Sequence, residues 1–185
     1  MTTFLYSATA SADGYIAGPG GDMTWLQPFM GADPDPILEP IIPKITALLM
    51  GRTTFDGEDP NAGDPELEGA FEGQWSGPQI LLTHRPVEQQ TPGLTAVGDF
   101  SAAVSASRHA AGPEGVANVL GADVAGQCLK AGVLHELIIS TVPILLGGGT
   151  PVLRGLEGSR ALTLIRSAAT STGQTAHYRV PTQQR

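Results

Sequence analysis

Six short apolar runs punctuate the chain: Thr3–Thr9, Ala47–Met50, Gln79–Thr83, Leu94–Val97, Val116–Leu120 and Leu134–Val142. Strand-like runs that alternate with helix-like segments are the pattern of an α/β fold. The helix-like segments include Ser101–Ala111, with Ser101 as its cap, and Asp123–Ala131, which opens at an acid and stops at Gly132. Toward the end, "ALTLIRSAATSTGQTAHYRV" reads as two strands around a turn at Gly173, an antiparallel hairpin that closes the sheet. Gly18–Pro36 and the acidic, Pro/Gly-rich Asp56–Gly69 read as loops. No repeat or linker interrupts the pattern, so residues 1–185 are expected to form a single domain, and 41% hydrophobic residues suffice for its core.

Charge narrows the partners. With 18 Asp+Glu against 10 Lys+Arg the formal net charge is −8, which repels polyphosphate and anionic lipid; nucleic acid and membrane are not expected partners. A small anion remains possible wherever arginines gather, which draws attention to Arg52 and Arg85. Cys128 is the only cysteine, so no intramolecular disulfide or cysteine-based zinc site can form, and no metal is expected. The N-terminus shows no basic leader before a long apolar stretch, so a cytoplasmic location is the expectation.

Ligands of open α/β sheets lie beyond the carboxyl ends of strands. Three junctions qualify. In "ALLMGRTTFD" a strand ends at Gly51, Arg52 follows, and Thr53 and Thr54 can cap a short helix, so N–H groups, hydroxyls and a guanidinium converge on one anion. In "QILLTHRPV" the strand ends at Thr83, His84 and Arg85 before Pro86 stops regular pairing. In "NVLGADVAGQCLKAG", Gly121 and Ala122 admit a close backbone and Asp123 opens a helix whose positive end faces outward. Each junction taken alone also reads as a solvated strand end with a routine turn.

In this order the junctions resemble the dihydrofolate reductase-like superfamily, in the branch related to the reductase (C-terminal) domain of riboflavin-biosynthesis deaminase-reductases. The resemblance spans nearly the whole chain and rests on "SADGYIA", "MGRTTFD", "LLTHRP", "GADVAGQCLKAGVLHEL" and "VPILLGGGTPVL". It implies a mixed, mostly parallel central sheet flanked by helices, with NADPH bound across the strand ends. By motif, Gly51, Arg52, Thr53 and Thr54 hold cofactor phosphates. Thr83, His84 and Arg85 surround the adenosine end, the arginines favouring a 2′-phosphate. Gly121, Ala122, Asp123, Val124 and Ala125 receive the pyrophosphate, and Ile16 and Ala17 border the nicotinamide. Asp13 and Trp25 are the residues implied near the substrate. The family also suggests a homodimer.

Two departures stand out. Family members place two glycines before the alanine of the third motif; here the pair reads Leu120-Gly121, and leucine tolerates neither the dihedrals nor the close approach that glycine permits. Either the loop has shifted or the pyrophosphate is held less tightly. Dihydrofolate reductases also carry a carboxylate shortly after the tryptophan of the first loop, where "TWLQPFM" offers Met30, so folate is not the expected substrate. The deaminase zinc signature is absent from these residues, and the bifunctional activity is not expected.

The expected reaction is hydride transfer from NADPH to a small pterin- or aminopyrimidine-like substrate, with the proton from solvent or Asp13. Asp13 is equally explained as the turn residue before Gly14. A nucleotide-binding or sensing protein on the same scaffold is the alternative. His109, His135 and His177 are scattered and Cys128 is expected on the core face of its helix, so no nucleophile system is read. The three glycines at Gly147–Gly149 are expected to turn a corner rather than to grip a phosphate.

Overall fold

The computed structural model describes residues 1–30, 33–57, 59–64, 66–87 and 91–181. Its strands are β1 (Thr3–Ser11), β2 (Tyr15–Ala17), β3 (Ile45–Gly51), β4 (Gln79–Leu82), β5 (Leu94–Val97), β6 (Val116–Leu120), β7 (Glu136–Val142), β8 (Thr150–Pro151), β9 (Thr163–Thr170) and β10 (Gly173–Arg179). Its α-helices are α1 (Arg52–Asp56), α2 (Phe100–Ala111) and α3 (Ala122–Lys130). Eight strands form one sheet in the order β5-β4-β3-β6-β1-β7-β10-β9, and β2 pairs with β8 in a small second sheet. All neighbours from β5 to β7 are parallel; β10 runs antiparallel to β7 and to β9, making the C-terminal hairpin.

The central strands are apolar throughout because both of their faces are covered. Side chains alternate along a strand, so Phe4 and Tyr6 of β1 join Ala47 and Leu49 of β3 in a core packed with Ala103 and Val104 of α2 and Val124, Ala125 and Cys128 of α3. Leu5 turns to the other face, where it meets Ile37 and Ile138. Leu48 and Met50 do the same beside Ile45 and Leu81, under Phe71 and Trp75. This second face is covered by irregular chain rather than by long helices, and the Trp75 indole N–H fastens it by donating to the Ile45 carbonyl at 2.7 Å.

Several details differ from the sequence reading. The cap of α2 is Asp99, whose carboxylate accepts the Ala102 N–H at 2.9 Å, and Ser101 lies inside the helix. Gly51 is the N-cap of α1 without a side-chain cap, so Thr53 and Thr54 are helix residues and not caps. The stretch read as the first loop contains 3₁₀ turns over Pro19–Gly21 and Thr24–Phe29. Within the two stretches read as loops, residues 31, 32, 58 and 65 lie outside the described residues.

Candidate functional site

The parallel strands end at one edge, and register decides which junctions meet there. Gly51 pairs with Leu82 across β3 and β4, and Met50 pairs with Leu120 across β3 and β6. The turns after β4, β3 and β6 are therefore neighbours. A Cβ at Gly121 would collide with the Thr54 hydroxyl, and one at Gly51 would lie 3.0 Å from a Val124 methyl. The first and third junctions thus touch, and glycine is what lets them.

Gly121 carries φ 91° as the N-cap of α3, and among the described residues no side chain caps that helix. Leucine in front of it proves compatible with this turn. Leu120 is the last residue of β6, outside the positive-φ region, and its partly buried side chain packs against Ile45, Leu48, Met50 and Leu81. Of the pair, Gly121 takes up the positive φ that glycine favours and Leu120 does not. Ala122, Val124 and Ala125 turn buried side chains into the core, so what they offer at the helix start is backbone. The Asp123 carboxylate faces the Arg154 guanidinium at 3.5 Å, and a second arm of Arg154 lies 3.4 Å from the Thr150 hydroxyl. Arg154 was not read as a site residue; its segment reaches α3 because Gly126 has no side chain where the Arg154 carbonyl lies.

Arg52 and Arg85 come together as neighbouring strand ends should. Asp56 joins them. Arg52 Nε donates to both Asp56 oxygens at 2.7 Å, Arg85 Nη2 reaches one of them at 3.2 Å, and Arg52 Nη1 donates to the Pro86 carbonyl at 3.1 Å. The Arg52 hydrogen bond, followed by the charges of both arginines, pulls the Asp56 carboxyl below its usual range. Thr83 folds its hydroxyl under the turn, accepting the Arg85 N–H at 3.1 Å, while His84 is exposed beside it.

The first loop is held differently from expectation. Asp13 accepts from the Ser11 hydroxyl at 2.6 Å, from the Leu146 N–H at 3.0 Å and from the Gly147 N–H at 2.7 Å. These donors, Ser11 first, lower its pKa to about 2. A carboxylate so held is ionised near neutrality and is a poor proton donor there. Gly147 and Gly149 have φ of 71° and 126°, and a Cβ on Gly149 would strike the Ala17 carbonyl. The glycine loop is a corner pressed against the backbone of Ala17 and Gly18, continued by the pairing of Ala17 with Thr150.

Beyond β1 and β7 lies a cleft of about 250 Å³, bordered by Thr9, Phe29, Asp35, Leu38, Ser140 and Thr175 among others. Trp25 is buried one turn before Phe29, and its indole N–H has no hydrogen-bond partner among the described residues. Among the acids that border this cleft is Asp35. Asp35 accepts the N–H groups of Ile37 and Leu38 at 2.7 and 3.1 Å through one oxygen, and the Thr175 hydroxyl through the other. The Thr175 and Ser140 hydroxyl oxygens are 2.8 Å apart. The sequence signal was "DPDPI", where an Asp before proline favours a turn that aims its carboxylate back at the backbone.

Residues 110–177 match the family model of the RibD C-terminal domain. The chain is similar to the uncharacterized protein YwjB of Bacillus subtilis (strain 168), 25% identical over 162 residues that cover 88% of each protein. Among solved structures, a Shewanella sp. PV-4 protein named for riboflavin biosynthesis shares the fold with a TM-score of 0.72 and 24% identity, over 97% of this chain and 99% of that one. Dihydrofolate reductase from Enterococcus faecalis, solved as a complex with NADP(H), gives a TM-score of 0.61 at 17% identity over 96% of each chain.

Proposed function

We propose that this chain, which has the fold of dihydrofolate reductase and matches the RibD C-terminal domain over residues 110–177, is an NADPH-dependent reductase of a small heterocyclic substrate. The observation that carries this reading is the meeting, at one sheet edge, of the Arg52–Asp56–Arg85 cluster with the uncapped start of α3 beside Thr54. Two guanidiniums within reach of one carboxylate suit a phosphomonoester, and free N–H groups at a helix start suit a pyrophosphate.

NADPH would supply the reducing equivalent as hydride from its nicotinamide. Arg52 and Arg85 would take its 2′-phosphate, with Thr83 and His84 beside the adenosine. Gly51, Thr53 and Thr54 would hold the pyrophosphate together with the backbone from Gly121 to Ala125. Ile16 and Ala17 would border the nicotinamide, kept in place by the glycine loop and by Asp13, whose role here is to position that loop. The substrate would enter the cleft under Asp35, whose carboxylate can accept from an amino group or ring N–H of a pterin- or aminopyrimidine-like ring, and water would supply the proton.

The test is a binding titration with NADPH and with NADH. We expect NADPH to bind at least tenfold more tightly, and Arg52→Ala and Arg85→Ala each to reduce that ratio by about tenfold, the loss of a hydrogen bond to a charged group. Equal affinity for the two nucleotides in the unaltered protein would falsify the phosphate assignment. A second reading, nucleotide binding without turnover, draws on the ionised state of Asp13, which leaves the first loop without a carboxylic acid to donate a proton. Single-turnover oxidation of bound NADPH with candidate heterocycles separates the two.

A further inference from the structure

We propose that Asp56 is a positioning residue that sets the preference for NADPH over NADH by holding Arg52 and Arg85 in one anion-binding arrangement; this rests on the functional reading above. Arg52 and Arg85 belong to different elements, the start of α1 and the turn after β4, and as like charges at adjacent strand ends they repel. Asp56 sits four residues after Arg52, so both lie on one face of α1. It engages Arg52 through Nε and Arg85 through Nη2, at 2.7 and 3.2 Å. Arg52 is tied to the second turn once more by the Pro86 carbonyl at 3.1 Å. The Arg85 side chain is 67% exposed, so among the described residues the Asp56 carboxylate is what orders its guanidinium.

Two effects of Asp56 oppose each other. As an anion it lowers the charge of the cluster from +2 to +1, which weakens attraction for a phosphate. As a clamp it orders two long side chains before the ligand arrives, so their freedom is not lost on binding. The site is partly open to water, which screens the first effect and leaves the second intact. Pre-ordering therefore decides the sign.

The experiment is titration of Asp56→Asn and Asp56→Glu with NADPH and NADH, with melting curves to establish that both variants fold. Asp56→Asn is expected to weaken NADPH about tenfold and NADH less than twofold, although it makes the cluster more positive. Asp56→Glu, which keeps the charge, should hold the ratio within about threefold of the unaltered protein. The ¹H–¹⁵N resonance of Arg52 Nε, measured without nucleotide, should show slow exchange with water in the unaltered protein and fast exchange in Asp56→Asn. An unchanged or increased NADPH preference in Asp56→Asn overturns the role of Asp56 and leaves the reductase reading standing. No NADPH preference in the unaltered protein overturns that reading, and this inference with it.

Discussion

The Asp13 carboxylate accepts the Gly147 N–H at 2.7 Å across 134 positions of chain, and the Leu146 N–H beside it. That link joins the turn after β1 to the corner made by the glycine loop. The side chain has one role that geometry accounts for, holding two loops in register.

Replacing Asp13 by Asn removes the charge that strengthens these hydrogen bonds. Hydrogen exchange should show protection at Leu146 and Gly147 reduced by about tenfold, with the core strands unaffected. The pH dependence has a definite sign. The folded pKa of about 2 lies below the unfolded value near 3.9, so the stabilisation is present above about pH 3.9 and fades as pH falls toward 2. A loop that loosens between pH 5 and 7 would contradict this assignment.

Leu120→Gly should not tighten nucleotide binding, because the glycine requirement already rests on Gly121. It should destabilise the protein by about 2–3 kcal/mol through lost packing on Leu48, Met50 and Leu81 and the added freedom of the unfolded chain. Thermal unfolding should show a melting temperature lower by roughly 5–10 °C. A tighter NADPH complex in this variant would mean that the leucine obstructs the site.

His135 accepts the Phe4 N–H on Nδ1 at 2.9 Å, which requires that nitrogen to be unprotonated. Burial, then the Arg108 charge, lowers its pKa below the ordinary 6.5. Below that value the unfolded chain binds a proton that the folded protein resists, so stability should decline as pH drops from about 6.5 toward the folded pKa. Urea unfolding at pH 7.0, 6.0 and 5.5 measures this. His135→Asn, which offers an amide oxygen to Phe4 and does not titrate, should flatten the slope; an equal slope in the variant assigns it to another group.

Cys128 is fully buried in α3, and burial raises its pKa to about 12. A thiol with that environment holds no thiolate at pH 8. Ellman's reagent should leave the folded protein unlabelled and should report one thiol per chain in denaturant.

Much of the fold was legible because periodicity reports burial. Leu94–Val97 and Val116–Leu120 match β5 and β6 end to end. Boundaries slipped where side chains compete: Asp99 caps α2 although Ser101 and the alanines after it look like the start. Of the candidate site, the sequence made legible the neighbouring strand ends at Gly51, Arg52, Arg85 and Gly121. Asp35 and Asp56 escaped notice because each gains its meaning from residues distant in sequence, Thr175 for one and Arg85 for the other. The backbone at Leu120 was not legible because the count of glycines in a motif says nothing about which of them needs a positive φ.

The placement of β1 has a consequence for how the protein is made. Thr3 pairs with Val116 in β6, and Ser11 pairs with Val142 in β7, so β1 is made well before either of its neighbours. Until then its apolar residues wait unpaired beside β3 and β4, which already have each other. Such long-range pairing slows folding and prolongs exposure of sticky strand edges. A nascent chain stalled before Val116 should therefore depend on chaperones, and release of the segment through β7 is the event that lets the sheet close.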